Sequence, residues 1–551
     1  MEVRVSAIII EDILWERAIV TFAYRAQENA ELALRRVEDD RLLPLASGAS
    51  KNGVQCARLS ITNAAGREPI GEGAWSFCRL DPASGYDDSD VVFAPTVLEK
   101  LPSLTRLFRY GMVGCACVVS FEACAGTKGE VGVRLEVGYY QKNANPRKRR
   151  QGLRAMEERV FALFHKLIKA LSPHRGNRVL FLKENGEKPT GNLAAVRDRM
   201  RERGMDQSYR ISERYRNTMS GRQSLFAWLG DIVAIARSDY IFIDDFCPVF
   251  NFIDPGDGVT LVQVWHAGVG FKSVGYARFG RPGSPDPYHS AHRRYDYGIV
   301  GNAQLRETYA EVFGIEESAL LATGIPRLDK VYAEGARERA MERLLDRYPW
   351  MGEGRVIVFA PTFRGAGQKD AHYPYGDFID FAALYELCER TNSYFVFEMH
   401  HFIKDAPPIP ERYRSRLKDL GEEDLNDLLY AADVLVTDYS SCFYDFLPQG
   451  KPVVFYVPDK RIYELVHGVH QTIDDAAPGE ICNTFEELAQ TLDSDLSVPG
   501  VLGSAMVDRA AEKSGLAADR IIDAVLLGER PEGVFLEDDT QTCGAKVTSS
   551  L

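Results

Sequence analysis

The chain is short of positive charge, of paired cysteines and of long apolar runs, and each shortage removes a class of function. Lys and Arg total 66 against 79 Asp and Glu, a formal net charge of −13, which argues against general nucleic-acid binding while leaving room for local basic patches. The ten cysteines are scattered. Cys115-Ala116-Cys117 is the one close pair, and no CxxC couples offer a zinc site. Mostly free thiols in a cytosolic protein is the reading that follows. No stretch approaches about 18 uninterrupted apolar residues, so no membrane-spanning helix is expected. The start places Glu2 and Glu11 around a short apolar run and lacks the basic region and small-residue cleavage site of a signal peptide. The expectation is a cytoplasmic protein, soluble or peripheral on the membrane.

What is present is globular: 551 residues, 45% hydrophobic and 26% charged, too long for one ordinary core. Residues 1–142 read as a β-rich, sandwich-like accessory domain of short strands, among them Val91-Val92-Phe93 and Cys117-Val118-Val119-Ser120-Phe121, separated by Gly, Asp and Ser turns. Residues 143–175 open on the basic knot Arg147-Lys148-Arg149-Arg150 and continue as a helix with Phe161, Phe164, Ile168 and Leu171 on one face. That segment is either a surface for anionic lipid or a solvated linker into a packed helix. Residues 176–345 and 346–527 each alternate strands and helices, which predicts two parallel-sheet α/β domains facing a cleft. Residues 528–551 read as a polar, frayed tail.

The most informative stretch runs from Asp424 to Asp459. It reads as helix, the buried strand Val434-Leu435-Val436-Thr437, a polar turn Asp438-Tyr439-Ser440-Ser441, a helix closed at Gly450, and the strand Val453-Val454-Phe455-Tyr456. Ser440, Ser441 and the nearby N–H groups then lie at the positive end of a helix dipole, an anion site at the carboxyl edge of a parallel sheet. Three further strand ends carry chemistry-bearing residues. Trp265-His266-Ala267-Gly268-Val269-Gly270-Phe271-Lys272 places a base beside glycines and a cation, although a lone histidine after a strand is commonly structural. Arg364 leaves the Val356-Ile357-Val358-Phe359 strand where it can fork onto phosphate or sit in an ion pair. His400 and His401 end a strand without the carboxylate or cysteine spacing of a metal site.

Taken together these residues resemble the CDP-glycerol glycerophosphotransferases of teichoic-acid synthesis. The family's Gln-x-Trp-His-Gly is matched by Gln263-Val264-Trp265-His266-Ala267, and its Gly-x-Pro-Arg-x-Asp by Gly324-Ile325-Pro326-Arg327-Leu328-Asp329. Its Ala-Pro-Thr-aromatic-Arg is matched through Arg364, its Thr-Asp-Tyr-Ser-Ser by Thr437 to Ser441, and Tyr444-Asp445-Phe446 and Pro478-Gly479 also fall in place. The resemblance covers about residues 176 to 526. It departs at Ala267-Gly268, at Glu398 where a basic residue is common, and at His401 where proline is usual.

The resemblance implies a GT-B-like fold, two Rossmann-like doubly wound domains with the active cleft between them, and a transfer of glycerol phosphate from CDP-glycerol to a hydroxyl of a lipid-linked acceptor, releasing CMP. It implies two essential histidines, His266 and His400, with His266 as general base. Donor phosphates are expected near Lys272, Arg327, Arg364, Asp438, Ser440, Ser441 and Asp445. No cofactor or catalytic metal is implied, and the partners are the nucleotide donor, the acceptor and the cytoplasmic membrane face by way of Arg147-Lys148-Arg149-Arg150. CDP-ribitol is the alternative donor; another GT-B glycosyltransferase or epimerase, and a non-catalytic scaffold, are the remaining readings.

Overall fold

The computed structural model describes residues 8–26, 31–47, 53–81, 85–87, 91–111, 114–126, 131–141, 148–173, 175–184, 186, 188–216, 225–265, 273–281, 284–331, 333–365, 370–400, 402–469, 472–496 and 517–536. The first part is β-rich, as its alternation predicts. A five-stranded and a seven-stranded sheet close on one apolar core that includes Ile10, Phe22, Trp75, Phe77 and Phe121. The strand Cys115–Ala125 shows why: Cys117, Val119 and Phe121 are buried on one face while the intervening residues stay partly exposed, the period of two that a half-buried strand requires.

This sandwich is bolted to the next unit. Phe279, from the α/β part, stacks on Phe108 and Tyr110 at 5.3 and 5.9 Å and belongs to the sandwich core. Arg17 forks onto Glu311 at 3.2 and 2.7 Å, and Arg67 donates to the carbonyls of Arg293 and Tyr295.

Two six-stranded parallel sheets follow. The first runs, in spatial order, Arg210–Tyr215, Arg178–Lys183, Tyr240–Ile243, Thr260–Gln263, Tyr297–Ile299, Leu320–Leu321. The second runs Leu417–Asp419, Ser393–Phe397, Arg355–Phe359, Val434–Thr437, Val453–Tyr456, Glu480–Cys482. Strands buried on both faces read as continuous apolar runs, and Val434–Thr437 and Val453–Tyr456 are buried throughout. In the second sheet the chain switches sides between Arg355–Phe359 and Val434–Thr437, where an open α/β sheet leaves a crevice at its carboxyl edge. Gly479 permits the close packing of the last strand, because a Cβ there would lie 1.9 Å from the Val453 carbonyl oxygen.

Four expectations need adjustment. The helix Ala517–Val525, grouped by sequence with the second unit, packs on the first: Ile521, Ile522 and Val525 share a core with Val179, Phe181 and Phe242, and Arg199 forks onto Asp519 at 2.9 and 2.8 Å. Residues 529–536 follow it onto the same unit. Val534 is fully buried and its carbonyl accepts from the Ala322 N–H at 3.0 Å; residues 537–551 lie outside the described residues. Conversely, Ala336–Arg347 already belongs to the second unit, with Leu344 in the core of Val356 and Leu428. Finally, the helix Lys148–Ala170 packs through Phe161, which stacks on Trp228 at 6.1 Å, whereas Leu171 points away and is 72% exposed.

Two histidines are sealed in the first unit. His292 and His165 are 4% and 2% exposed, and burial pushes both down to about 4. The unfolded chain takes up these protons near the ordinary value of about 6.5, so it binds more protons than the folded one between that pH and about 4. Stability therefore falls as pH is lowered through that window. His292→Phe, which keeps the ring contacts to Phe246 and Phe313, is expected to flatten the decline in urea midpoint between pH 7 and pH 5. An unchanged pH slope would contradict this assignment.

Candidate active site

At the switch point of the second sheet, the backbone is held by a buried charge network. Asp438 has no exposed surface. Its carboxylate accepts the Thr362 N–H at 2.8 Å and hydroxyl at 3.0 Å, and Arg364 Nη1 at 2.9 Å. Arg364 completes its fork with Nε and Nη2 on Asp459 at 2.7 and 2.8 Å. Its guanidinium lies 4.7 Å from the Tyr463 ring, which stacks on Tyr439 at 4.0 Å and 5°. Arg364 and Asp438, both expected against phosphate, thus face each other inside the protein. Asp459, not foreseen as a partner, is the reason: a fork between two carboxylates is geometrically complete.

The groups left at the edge are fewer. Ser440 and Ser441 are half-buried, and the Ser440 hydroxyl accepts the Cys442 N–H at 3.4 Å. The helix they open, Cys442–Phe446, has only five residues before the 3₁₀ turn Leu447–Gln449, which ends at Gly450 with φ +64°. The favourable field at this turn therefore comes from individual N–H groups more than from a long dipole. His400 follows the strand Ser393–Phe397 at the same carboxyl edge, its ring against Phe363 at 5.0 Å and Phe402 at 4.8 Å. Its Nδ1 accepts the Phe402 N–H at 3.2 Å, which leaves the proton of the neutral ring on Nε2. Glu398, two residues earlier, is pushed up to about 7 by burial and then by the charge of Asp424.

The first unit presents the opposite wall. Asn192, missed in the sequence reading, is 1% exposed and joins two motifs: its amide donates to the carbonyls of Val264 and Trp265 at 3.0 and 2.7 Å and accepts the Arg327 N–H at 3.1 Å. Trp265 lies past its strand, which stops at Gln263. It takes φ +46°, a left-handed conformation costly for a bulky residue, with its N–H on the Gln263 side-chain oxygen at 2.9 Å. His266 and Lys272 lie outside the described residues, as do Arg147 and His401. On the far side of that stretch, the Ser273 N–H donates to the Gly468 carbonyl of the second unit at 3.3 Å.

Arg327 crosses the cleft and forks onto Asp445 at 2.6 and 3.0 Å. Two residues on, Asp329 accepts the N–H groups of Ala517 and Ala518 at 3.1 and 2.8 Å, capping the returning helix. The Pro-Arg-x-Asp motif thus fixes both the relation between the units and the path of the chain back to the first. Thr190-Gly191-Asn192 reads as a helix start, which puts Asn192 in a first turn without indicating its partners.

Two parallel α/β units set carboxyl edge to carboxyl edge, with the last helix crossing back, define the GT-B class. Solved structures of the wall teichoic acid polymerase TagF share this fold: one aligns with a TM-score of 0.50 at 18% identity over 69% of this chain and 97% of that one, and another with 0.52. Residues 164–526 match the CDP-Glycerol:Poly(glycerophosphate) glycerophosphotransferase family, and the chain belongs to it. It is 31% identical over 384 residues to the teichoic acid poly(ribitol-phosphate) polymerase of Bacillus spizizenii, covering 69% of this chain and 61% of that protein. With the teichoic acid ribitol-phosphate polymerase TarL of Staphylococcus aureus it shares 31% over 337 residues, 61% of this chain and 60% of the relative. The chain therefore spans about three-fifths of these relatives.

Arg364→Ala strips the buried Asp438 and the half-buried Asp459 of their partner, and is expected to lower unfolding free energy by about 3–5 kcal/mol. Arg327→Ala, at a pair whose arginine is 22% exposed, is expected to cost clearly less. Denaturant unfolding checks both; an Arg364→Ala protein as stable as wild type would return that residue to the ligand-binding set.

Proposed function

We propose that the chain transfers a polyol phosphate from a CDP-polyol to a hydroxyl of a teichoic-acid-type acceptor, releasing CMP, with ribitol phosphate favoured as the transferred group. Family membership supports the reaction type. The ribitol reading is supported by three ribitol-phosphate polymerases at 31–32% identity, against 24–28% for glycerol-phosphate enzymes, a range that also holds a ribitol-phosphate primase at 26%; the glycerol reading becomes the alternative.

The observation that carries the reading is the strand-end arrangement: His400 with its proton on Nε2, at the same carboxyl edge of one parallel sheet as a serine turn whose acidic and basic neighbours are occupied with each other. In the proposed step the acceptor oxygen forms a bond to the polyol-bearing phosphorus while the bond from that phosphorus to the bridging oxygen breaks, and CMP leaves with the electron pair. His266 takes the hydroxyl proton. His400 Nε2–H, Ser440, Ser441 and the adjacent N–H groups receive the charge that gathers on the phosphoryl oxygens. Lys272 and Arg327 are assigned to the same charge from the opposite wall. Arg364 and Asp438 act by holding the turn.

CMP release tests the reading. Acceptor-dependent release is expected from CDP-ribitol, faster than from CDP-glycerol, and His266→Ala or His400→Ala should lower it by at least about 100-fold. No acceptor-dependent release from either donor by folded protein would refute it.

A lipid-linked acceptor would bring the protein to the cytoplasmic membrane face. The helix Lys148–Ala170 supports this with Met156, Val160, Leu163 and Leu167 on one exposed stripe that Leu171 extends, next to Leu225 and the 84% exposed Phe226. Apolar residues at helical spacing beside a basic segment suit an anionic surface. Replacing Leu163 and Leu167 by Glu is expected to weaken binding to phosphatidylglycerol vesicles at least about tenfold. Unchanged vesicle binding would remove this helix from the membrane contact.

A further inference from the structure

Glu398 stands where a phosphate-binding cleft has least use for a negative charge. It follows the strand Ser393–Phe397, and its N–H is fixed on the Phe359 carbonyl at 3.0 Å, so it sits at the carboxyl edge beside the switch point. Its half-buried carboxyl is near enough to feel the charge of Asp424, which caps the helix Leu425–Ala431, and to act on Cys442, the first residue of Cys442–Phe446. Both helices begin at this edge. Among the described residues, its carboxyl makes no hydrogen bond or ion pair. Burial without a protein partner is costly for a carboxylate, and Asp424 adds repulsion.

A phosphate would be repelled by this group, and among the described residues no cation is paired with it. What a carboxylate in such a position binds well is a pair of hydroxyls, each donating to one of its oxygens. We propose that the Glu398 carboxyl binds two adjacent hydroxyls of the nucleotide donor, and so helps to set which donor is used. This rests on the reading of the chain as a CDP-polyol transferase. Adjacent hydroxyls occur in two parts of such a donor, the ribose of the nucleoside and the polyol chain. The chemistry is the same for both, and the sites would differ only in how the donor lies across the turn at Ser440. The raised pKa is consistent with a group waiting for such donors, since hydrogen bonds to the charged form stabilise it.

The test uses the full chain and its Glu398→Ala and Glu398→Gln variants. It measures KM and kcat with CDP-ribitol, and inhibition by CMP and by 2′-deoxy-CMP. Glu398→Ala is expected to raise the donor KM on the order of tenfold to a hundredfold, the worth of charged hydrogen bonds, with kcat within about threefold. Glu398→Gln, which keeps one acceptor oxygen, should fall between. If the ribose is the partner, 2′-deoxy-CMP binds wild type more weakly than CMP, and Glu398→Ala abolishes that difference. If the polyol is the partner, the two inhibitors bind alike to all three proteins, and only the CDP-polyol KM rises. An active wild type whose folded Glu398→Ala variant keeps the same KM and inhibition constants overturns the Glu398 proposal alone. A folded wild type that releases no acceptor-dependent CMP from either donor overturns it together with the reading on which it rests.

Discussion

Asp438 is fully buried and ionisable, and that carboxylate ties together the two strands that flank the switch point of the second unit. Thr362 lies just past Arg355–Phe359, and Asp438 just past Val434–Thr437; between them run three hydrogen bonds of 3.0 Å or less, counting Arg364. Hydrogen bonds to a charged group contribute about 1.5–3 kcal/mol each, and a buried carboxylate without them would be among the costliest groups in the protein. The network therefore has one satisfied arrangement, and in that arrangement the chain emerges at Ser440 and Ser441 in a fixed direction. The serines are placed by residues that do not themselves reach the cleft.

The opposite wall is set by a different device. Arg327 reaches Asp445 on the helix that follows the serines, Asn192 ties the Arg327 backbone to the end of the strand before His266, and Asp329 caps the helix that returns from the second unit. One short motif thus links the end of the strand Thr260–Gln263, the helix after the serine turn and the crossing chain. The β-sandwich braces the same region from outside through Phe279 and Arg67. This gives the accessory domain a physical role in holding the first unit, whatever else it binds.

Much of the architecture was legible because buried parallel strands must be apolar on both faces. Val434–Thr437 and Val453–Tyr456 have the bounds their sequence predicts. Roles within the site were less legible, because a motif gives a residue type and not its partner. Arg364 reads equally as a phosphate ligand or an ion pair until Asp459, 95 residues away, is placed beside it. Asn192 acts on Arg327 across 135 residues, a distance over which no local pattern carries information. The helix Ala517–Val525 shows an apolar stripe but not the surface it covers, and Leu171 keeps the helical phase of Phe164 and Ile168 while lying on the exposed side. Trp265 ends its strand through backbone conformation, which apolar periodicity does not report.

We propose that the donor phosphates are held at the serine turn by groups the buried network positions and not by the network itself. A crystal structure of the full chain with a CDP-polyol tests this most directly. The phosphates are expected within hydrogen-bond reach of Ser440, Ser441 and His400 Nε2, with Arg364 still forked between Asp438 and Asp459. Phosphates bound directly by Arg364 after it has left those carboxylates, or a donor seated away from this switch point, would contradict it.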